Sequence, residues 1–499
     1  MSVPKDILAV ERPKNTYVVA YGKNKNLYAV RKRIGCRYDK GRRIPINGPT
    51  IGHIIDGKFV PKEQPSESIP DPVSMASVDL KDWGAVTLCN DLCHDLLEEL
   101  YHFYDHSDAQ KIYCAAILRV CNPGIKDYEL KEAYDNCFLS ELYPGVALSK
   151  NTVSKFWSDL GKACSRIYGF MKNRAAAVEG DHHVLVDGTL KSNESKINTL
   201  SDFSRKAKTK GTRDISLLYA YDLEAREPVC SKCFPGNMLD ATAYEAFLED
   251  NGISKGIIVG DKGFPSSSAK KIFAKNKGLH YLNPLKRDSK YINELDLLIY
   301  EGQLPEQETI LYRKAFSKKD GKWLYSYRDT SKAHKEEYDW LHRSMKEKQF
   351  SIDRFDEDWY LFGTIILESD LDMEPQDAYN AYDSRWEIEL VMRYYKQACE
   401  FDETRVHTDY SIIGSEFCSF ISSVMTFRLL KKYEKSGLLR TMTYKKILSV
   451  LTRAKKICVD GKNWQLIKMN PSHIKVLQAL SLLPKPTPKR NGRPPKVGV

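Results

Sequence analysis

The fold class is decided by two stretches of sequence, Val184-Leu185-Val186-Asp187 and Gly256-Ile257-Ile258-Val259-Gly260-Asp261. Each is a short, continuous apolar run that is typical of a strand buried on both faces, and each ends in an aspartate. Between them the sequence predicts an antiparallel hairpin at 215–221 and 228–234, and then a helix that begins at Asp240. Because strands and helices alternate, we predict an α/β domain with a mixed sheet flanked by helices.

The alternation is interrupted between about residues 288 and 352. This stretch predicts short strands and then a charged helix from Ser331 to about Lys348, so we interpret it as a β-rich insertion. The core resumes with a predicted strand at 359–367 and a long helix from Asp383 to about Glu400. The α/β core is therefore predicted to cover 179–435.

Three further regions are predicted outside this core. Residues 1–75 combine short strands and turn residues with basic clusters and end in a Pro- and Ser-rich linker, whereas 76–178 are predicted to be helical. Residues 436–499 form a C-terminal helical segment and a basic tail. The sequence thus predicts an N-terminal β-rich and helical region ahead of the α/β core.

One helix in the 76–178 region could read DNA. Ser149 is a favourable N-cap, and it precedes four apolar residues at helical spacing: Val153, Phe156, Trp157 and Leu160. A preceding helix and turn would make it the second helix of a helix-turn-helix. Ordinary packing in a helical bundle explains the same pattern, so both interpretations stay open.

The composition excludes several classes of protein. The chain has 499 residues, 42% of them hydrophobic and 29% charged, with a mean hydropathy of −0.48. A folded protein of several domains is expected, rather than a disordered or membrane protein. The first residues lack the apolar core of a signal peptide, and twelve cysteines in a chain of this length do not form a dense disulfide framework. We therefore expect a cytoplasmic location and no membrane.

The positive charge is concentrated in particular regions. The net charge is +11, and basic residues gather in two N-terminal clusters, Arg31-Lys32-Arg33 and Arg42-Arg43, and in the C-terminal tail. The tail contains Arg490 and Arg493 in a stretch resembling an AT-hook, although Asn491 interrupts the usual basic run. A disordered tail with nonspecific phosphate affinity is the alternative. This distribution permits a polyanionic partner.

The two strand-terminal aspartates are candidate metal ligands. Two-metal phosphoryl chemistry needs acids from different elements to converge, because the ions lie only about 3.5 to 4 Å apart. Small or turn residues follow Asp187 and Asp261, which leaves room for a phosphate backbone. Taken alone, each acid is better explained by simple turn chemistry.

The most specific motif lies on the predicted helix after residue 382. It reads Tyr382-Asp-Ser-Arg385-Trp-Glu-Ile-Glu389-Leu-Val-Met-Arg-Tyr-Tyr-Lys396, the pattern Y-x2-R-x3-E-x6-K. On an α-helix the four motif residues fall within an arc of about 60°, so they form one polar stripe. A solvated face with an ordinary ion pair between Arg385 and Glu389 is the alternative.

This motif, with the two strand-end aspartates ahead of it, resembles the DDE transposases of bacterial insertion sequences, in the branch named for its Tyr-Arg-Glu-Lys signature. The resemblance covers about residues 180–430 and implies an RNase H-like fold. It implies that Asp187, Asp261 and Glu389 are the catalytic, metal-binding triad. Tyr382, Arg385 and Lys396 would then bind phosphates near the transposon end.

The resemblance also implies the reaction, the cofactor and the partners. Two Mg²⁺ or Mn²⁺ ions would assist attack by water on a phosphodiester, and the freed 3′-hydroxyl would attack target DNA. The partners would be the inverted repeats at the transposon ends and the target DNA, with a homodimer in the DNA complex and a nucleoid-associated location. The alternatives are a DNA-binding descendant without catalysis and a nuclease of the same fold that cuts without joining.

A zinc site is a weaker hypothesis. Cys230 and Cys233 have the spacing of metal ligands, but no second pair of cysteines or histidines lies nearby in the sequence. We therefore favour two ordinary strand residues at these positions.

Overall fold

The computed structural model describes residues 3–22, 27–39, 42–62, 78–204, 211–238, 240–261, 264, 266–347, 350–385, 403–459, 461 and 463–485. The predicted site residues Glu389, Lys396, Arg490 and Arg493 lie outside these ranges. The chain divides into two compact units, Met1–Asp79 with Cys458–Asn463, and Leu80–Ile457 with Trp464–Val499. Each unit is described by itself.

The N-terminal unit is an antiparallel sheet. After a short helix its strands pair in sequence order, with these bounds: α1 (Lys5–Leu8), β1 (Thr16–Tyr21), β2 (Leu27–Asp39), β3 (Arg42–Ile55) and β4 (Lys58–Pro61). Val18, Val30 and Ile54 form its small buried core. The pairing of β2 with β3 shifts register between Val30 and Gly35, which is the stretch that carries the first basic cluster.

The next region is helical and contributes to the main core. Its elements are β5 (Val78–Asp82), α2 (Gly84–Tyr101), α3 (His106–Cys121), α4 (Leu130–Asp135), α5 (Leu139–Leu142), α6 (Lys150–Lys162) and α7 (Cys164–Ala176). Helix α6 begins directly after Ser149, and all four apolar residues of the proposed recognition helix are buried. The apolar face of α6 is therefore used for packing, which leaves its polar face available to a ligand.

Strands and helices then alternate as predicted. The elements are β6 (His183–Ser192), β7 (Asp202–Phe203), β8 (Arg213–Asp222), β9 (Glu227–Pro235), α8 (Asp240–Asp250), β10 (Lys255–Gly260), a 3-10 turn (Ser266–Ala269), α9 (Lys270–Lys275) and β11 (Gly278–Pro284). Strands β6, β8 and β9 are antiparallel neighbours, whereas β10 runs parallel to both β6 and β11. The predicted mixed sheet flanked by helices is confirmed.

The predicted insertion extends this sheet. It and the following core elements are α10 (Tyr291–Glu294), β12 (Gly302–Gln303), β13 (Ile310–Ser317), β14 (Lys322–Asp329), α11 (Thr330–Glu347), α12 (Ile352–Trp359), β15 (Thr364–Ser369) and α13 (Pro375–Asp383). Because β14 pairs with β15, which pairs with β11, the ten-stranded sheet has the order β12-β13-β14-β15-β11-β10-β6-β8-β7, with β9 also on β8.

The start of the predicted strand at 359–367 is wrong. Residues 352–359 are helix α12, and β15 begins only at Thr364. The reason is visible in the packing: Phe355 and Trp359 recur at helical rather than strand spacing, and the Phe355 ring lies 5.3 Å from that of Trp340 on α11.

The last elements close the main core. They are α14 (Asp409–Lys435), a 3-10 turn (Leu438–Arg440), α15 (Tyr444–Thr452), β16 (Lys455–Val459), β17 (Asn463–Leu466) and α16 (Pro471–Ala479), with a small sheet ordered β17-β16-β5. By length and composition α14 could cross a membrane, but 89% of its most apolar stretch is buried in the protein. A side chain at Gly414 would meet the Trp157 backbone, so this glycine lets α14 touch α6.

Candidate active site where the pairing of β6 with β10 ends

The register between β6 and β10 brings two predicted acids together. The last pair of the parallel ladder is Val186 with Gly260, so Asp187 and Asp261 follow side by side on strands about 4.8 Å apart. Strand β6 does not end at the aspartate, as the sequence had predicted, but continues along β8 to Ser192. The aspartate therefore marks the point where β10 leaves β6.

The two carboxylates have different surroundings. Asp187 is half-buried, and its Oδ1 accepts a hydrogen bond of 2.8 Å from the backbone N–H of Gly188. Asp261 has a side chain that is 48% exposed, and its Oδ1 lies 3.8 Å from Nη1 of Arg385. One acid is thus fixed against its own strand, while the other faces both solvent and a cation.

Tyr382 lies in the last turn of α13, and Arg385 lies just beyond the end of this helix. The Arg385 guanidinium is 5.6 Å from the centre of the Tyr382 ring. Burial raises the pKa of the Tyr382 phenol, and Asp261 raises it further, while Arg385 acts in the opposite direction. The phenol therefore stays protonated at neutral pH and can donate a hydrogen bond beside the acids.

The remaining motif residues, Glu389 and Lys396, lie in 386–402, outside the described part of the chain. The structure thus brings Asp187, Asp261, Arg385 and Tyr382 to one edge of the sheet. Their roles as metal ligands and phosphate contacts stay predictions.

Asn283, which no sequence pattern singled out, supports this part of the sheet. Asn283 lies near the end of β11, the strand next to β10. Its buried Oδ1 accepts a hydrogen bond of 3.1 Å from the N–H of Gly260. No partner of its Nδ2 is found among the described residues. A Cβ at Gly260 would lie 2.9 Å from the same Oδ1, so a glycine is needed for this contact. The only sequence signal is an asparagine inside a buried apolar strand.

The insertion also contributes a cation. Lys332 at the start of α11 lies 3.8 Å from Asp383 and 3.5 Å from Asp329. Burial lowers the pKa of Lys332, but the neighbouring Tyr379, Asp383 and Asp329 together raise it above its ordinary value. Sequence reasoning could not single out this residue, because α11 carries several exposed lysines and only the fold brings one of them to α13.

A second group of acids lies beside the start of β6. There Glu179, Asp181 and His182, and also His182, Asp222 and Glu224, place potential metal-binding atoms within 4.8 Å of one another. The Nδ1 of His182 is 2.7 Å from Asp222, and that of His183 is 2.7 Å from Glu224. None of these residues belongs to the predicted triad.

The other predicted residues are spread over the molecule. Arg31, Lys32 and Arg33 lie on β2 of the N-terminal unit, where Lys32 and Arg33 are exposed, and the backbones of Arg42 and Arg43 belong to β3. Cys230 and Cys233 are paired strand residues of β9, and burial raises the pKa of both thiols. Neither belongs to a metal-binding group among the described residues.

Comparison with known proteins identifies the part of the chain that holds this site. Residues 179–411 match a family model described as the transposase DDE domain. The matched stretch begins just before β6 and ends at the start of α14. It therefore contains both described aspartates and Arg385, and it also spans Glu389 and Lys396.

Among solved structures, the chain is similar to a cryo-EM structure of the piggyBac transposase synaptic complex with hairpin DNA. The TM-score is 0.39 at 11% sequence identity, and the similarity covers 74% of this chain and 80% of that one. No curated protein matches the chain.

Proposed function

We propose that this chain is a DNA transposase of the Tyr-Arg-Glu-Lys branch, encoded by a bacterial insertion sequence. It would bind the ends of its element, cleave phosphodiesters with two divalent metal ions and join the freed 3′-hydroxyl to target DNA, in a cut-and-paste reaction. The observation that carries this proposal is the adjacency of Asp187 and Asp261 at the end of the β6 and β10 ladder, within the stretch that matches the transposase DDE domain.

The donor atoms at this edge suit a hard divalent cation. Asp187 and Asp261 offer carboxylate oxygens, which Mg²⁺ and Mn²⁺ accept, and the exposure of Asp261 leaves room for ligands from a substrate. Glu389 would complete the set from the helix that the sequence predicts after Arg385. When bound, the ions would stabilise negative charge on the phosphate and help to generate the nucleophile.

The chain's own residues would bind and orient the DNA. The planar guanidinium of Arg385 can form two hydrogen bonds to a phosphate, and the protonated phenol of Tyr382 can donate another. Lys396 would add a point charge. Because Arg385 already lies 3.8 Å from Asp261, a phosphate held by this arginine would be close to the proposed metal ligands.

The proposed partners are the inverted repeats at the element's ends and the target DNA, with a homodimer in the DNA complex and no membrane. The exposed Lys32 and Arg33 on β2 support an electrostatic contribution from the N-terminal unit, together with Arg31, Arg42, Arg43 and the tail residues Arg490 and Arg493. Binding through phosphates should weaken steeply as salt is raised. Such a protein would be cytoplasmic and associated with the nucleoid.

The test is a reaction of the purified full chain with Mg²⁺ and DNA that carries the flanking ends of its own gene. Nicking at the ends, followed by joining to a target plasmid, is the expected result. Binding without cleavage would indicate a descendant that has lost catalysis. Cleavage without joined products would indicate an RNase H-like nuclease, and either outcome would overturn the proposed transposase.

A further inference from the structure

A fully buried ion pair lies on the strand that carries Asp187. Nζ of Lys191 on β6 donates a hydrogen bond of 2.6 Å to Oε2 of Glu416 on α14, and the side chains are only 1% and 5% exposed. Neither residue is one of the predicted catalytic, metal-binding or DNA-binding residues. Moving two charges out of water is costly, so a pair this deep needs close geometry on all sides.

A third residue completes the geometry. Oγ1 of Thr404 donates a hydrogen bond of 2.7 Å to the other carboxylate oxygen of Glu416. The backbone N–H of Thr404 donates to Ser192 O at 2.9 Å, and Asn193 Nδ2 donates to Thr404 O at 2.7 Å. The end of β6, the chain around Thr404 and α14 are thus fastened together at one point.

The contacts of Lys191, Glu416 and Thr404 act on the same strand that carries Asp187. Side chains alternate along a strand, so Leu185, Asp187 and Lys191 project from the same face of β6. Leu185 belongs to the same buried cluster as Phe427 of α14, whereas Lys191 binds Glu416 of that helix. Strand β6 is therefore tied directly to α14 by the Lys191–Glu416 pair, and the cluster that contains Leu185 and Phe427 lies on the other side of the aspartate.

The need for such support follows from the sheet. On the β10 side the pairing of β6 ends at Val186, so beyond this point the level of Asp187 relative to Asp261 depends on the pairing of β6 with β8 and on the tie to α14. Directed hydrogen bonds fix a level better than apolar contacts do, because apolar side chains slide at little cost.

We propose that Lys191, Glu416 and Thr404 are positioning residues, which hold β6 so that Asp187 stands level with Asp261 for shared metal binding. This inference rests on the proposed function. A displacement of about 1 Å in a reacting group can reduce a rate by about 100-fold, so loss of the network should be visible in the nicking rate.

The experiment compares two double variants of the full chain. Lys191→Met with Glu416→Leu removes the buried pair but fills its space, and such replacements often leave stability unchanged or increased. The control is Lys81→Met with Glu141→Leu, which removes a hydrogen-bonded pair of 2.5 Å between β5 and α5, in the helical region outside the ten-stranded sheet. Thermal midpoint, end binding, nicking rate and half-saturating Mg²⁺ concentration are measured for each.

We expect the first variant to melt within a few degrees of the wild type and to bind end DNA normally. Its nicking rate should fall about 10- to 100-fold and its half-saturating Mg²⁺ concentration should rise, while the control keeps both values. Equal nicking and equal Mg²⁺ dependence in the two double variants would overturn the proposal. A wild type that shows no metal-dependent nicking would overturn the proposed function instead.

If the first variant does not fold, the variant Thr404→Val tests the positioning role instead. It keeps size and shape but removes the hydrogen bond to Glu416, so the carboxylate is free to shift while the ion pair remains. We expect about a 3- to 10-fold slower reaction with a raised Mg²⁺ requirement. A folded Thr404→Val protein with unchanged Mg²⁺ dependence would reject a positioning role.

Discussion

Strand β6 has acidic groups at two levels, beside its start and at Asp187 near its middle, and the two groups differ in how the acids are partnered. At its start, Asp222 and Glu224 hydrogen bond His182 and His183, and Glu224 also accepts the N–H of His183. Where the pairing with β10 ends, Asp187 stands next to Asp261, with Arg385 at 3.8 Å from the second acid.

The comparison teaches that a concentration of acids does not by itself identify a catalytic edge. The acids at the start of β6 meet imidazoles, a backbone N–H and, for Asp222, the N–H of Ala225, which are structural contacts. Where the pairing of β6 with β10 ends, in contrast, two carboxylates from different strands lie beside one another and next to a cation. Two-metal chemistry requires that arrangement, because it needs acids that converge from separate elements.

The largest expected effect distinguishes the pair Asp187 and Asp261 from the acids beside the start of β6. Asp187→Asn or Asp261→Asn should slow metal-dependent nicking by about 1000-fold or more, because a lost metal ligand removes several kcal/mol of transition-state stabilisation. Asp222→Asn should change nicking less than twofold and lower stability by about 1 kcal/mol through its weakened bonds. Nicking assays and urea unfolding on all three variants measure this. Similar nicking losses in all three variants would contradict the proposed difference between the two groups of acids.

The second prediction concerns Glu389, on the helix predicted from the sequence. Glu389→Gln keeps size and hydrogen bonding but removes the charge a divalent ion needs, so cleavage should vanish while end binding survives or improves. Glu387→Gln is the matched control, because on an ideal helix Glu387 is expected to lie about 200° away from the polar stripe. In contrast, Lys396→Ala should weaken end binding and lower its salt slope by about one unit. Normal cutting by Glu389→Gln would exclude it as a ligand.

A smaller effect is expected from the residue that supports β10. Asn283→Leu removes the acceptor of the buried Gly260 N–H, so nicking should fall about 10- to 100-fold, and stability by about 1 to 3 kcal/mol. Asn251→Leu is the control, since this equally buried asparagine donates to Phe247 O in α8. It should lose stability without a specific loss of nicking. Equal activity in the two variants at a temperature where both are folded would contradict a supporting role for Asn283.

The smallest effect concerns pH at the start of β6. The hydrogen bond that the His182 ring donates to Asp222 raises the pKa of His182, although burial opposes the shift. The folded state therefore holds the proton more tightly than the unfolded state does. The resulting stabilisation is complete below the ordinary pKa of 6.5 and is lost as pH rises through the raised value.

Accordingly, His182→Gln should be less stable than the wild type by about 1 kcal/mol or less at pH 5.5, and the gap should narrow by pH 9. Urea unfolding at the two pH values measures it, and nicking should be unaffected. A gap that widens at high pH would show that the sign of the coupling is wrong.

The sequence by itself determined the local elements of the core. Short apolar runs such as Val184–Val186 and Ile257–Val259 are typical of buried strands, so β6 and β10 follow from local patterning, and the acid after each run was visible without a structure. The strand predicted at 359–367 began too early, because Trp359 ends helix α12, whose Phe355 packs on the distant Trp340.

Only the tertiary structure decided which of these local features meet. The Val186 and Gly260 register, the pairing of β14 with β15, and the contacts of Asn283, Lys332 and Lys191 all join residues far apart in the chain. Sequence patterns record the face that a residue presents, but not its partner, because the partner is chosen by the packing of the whole core.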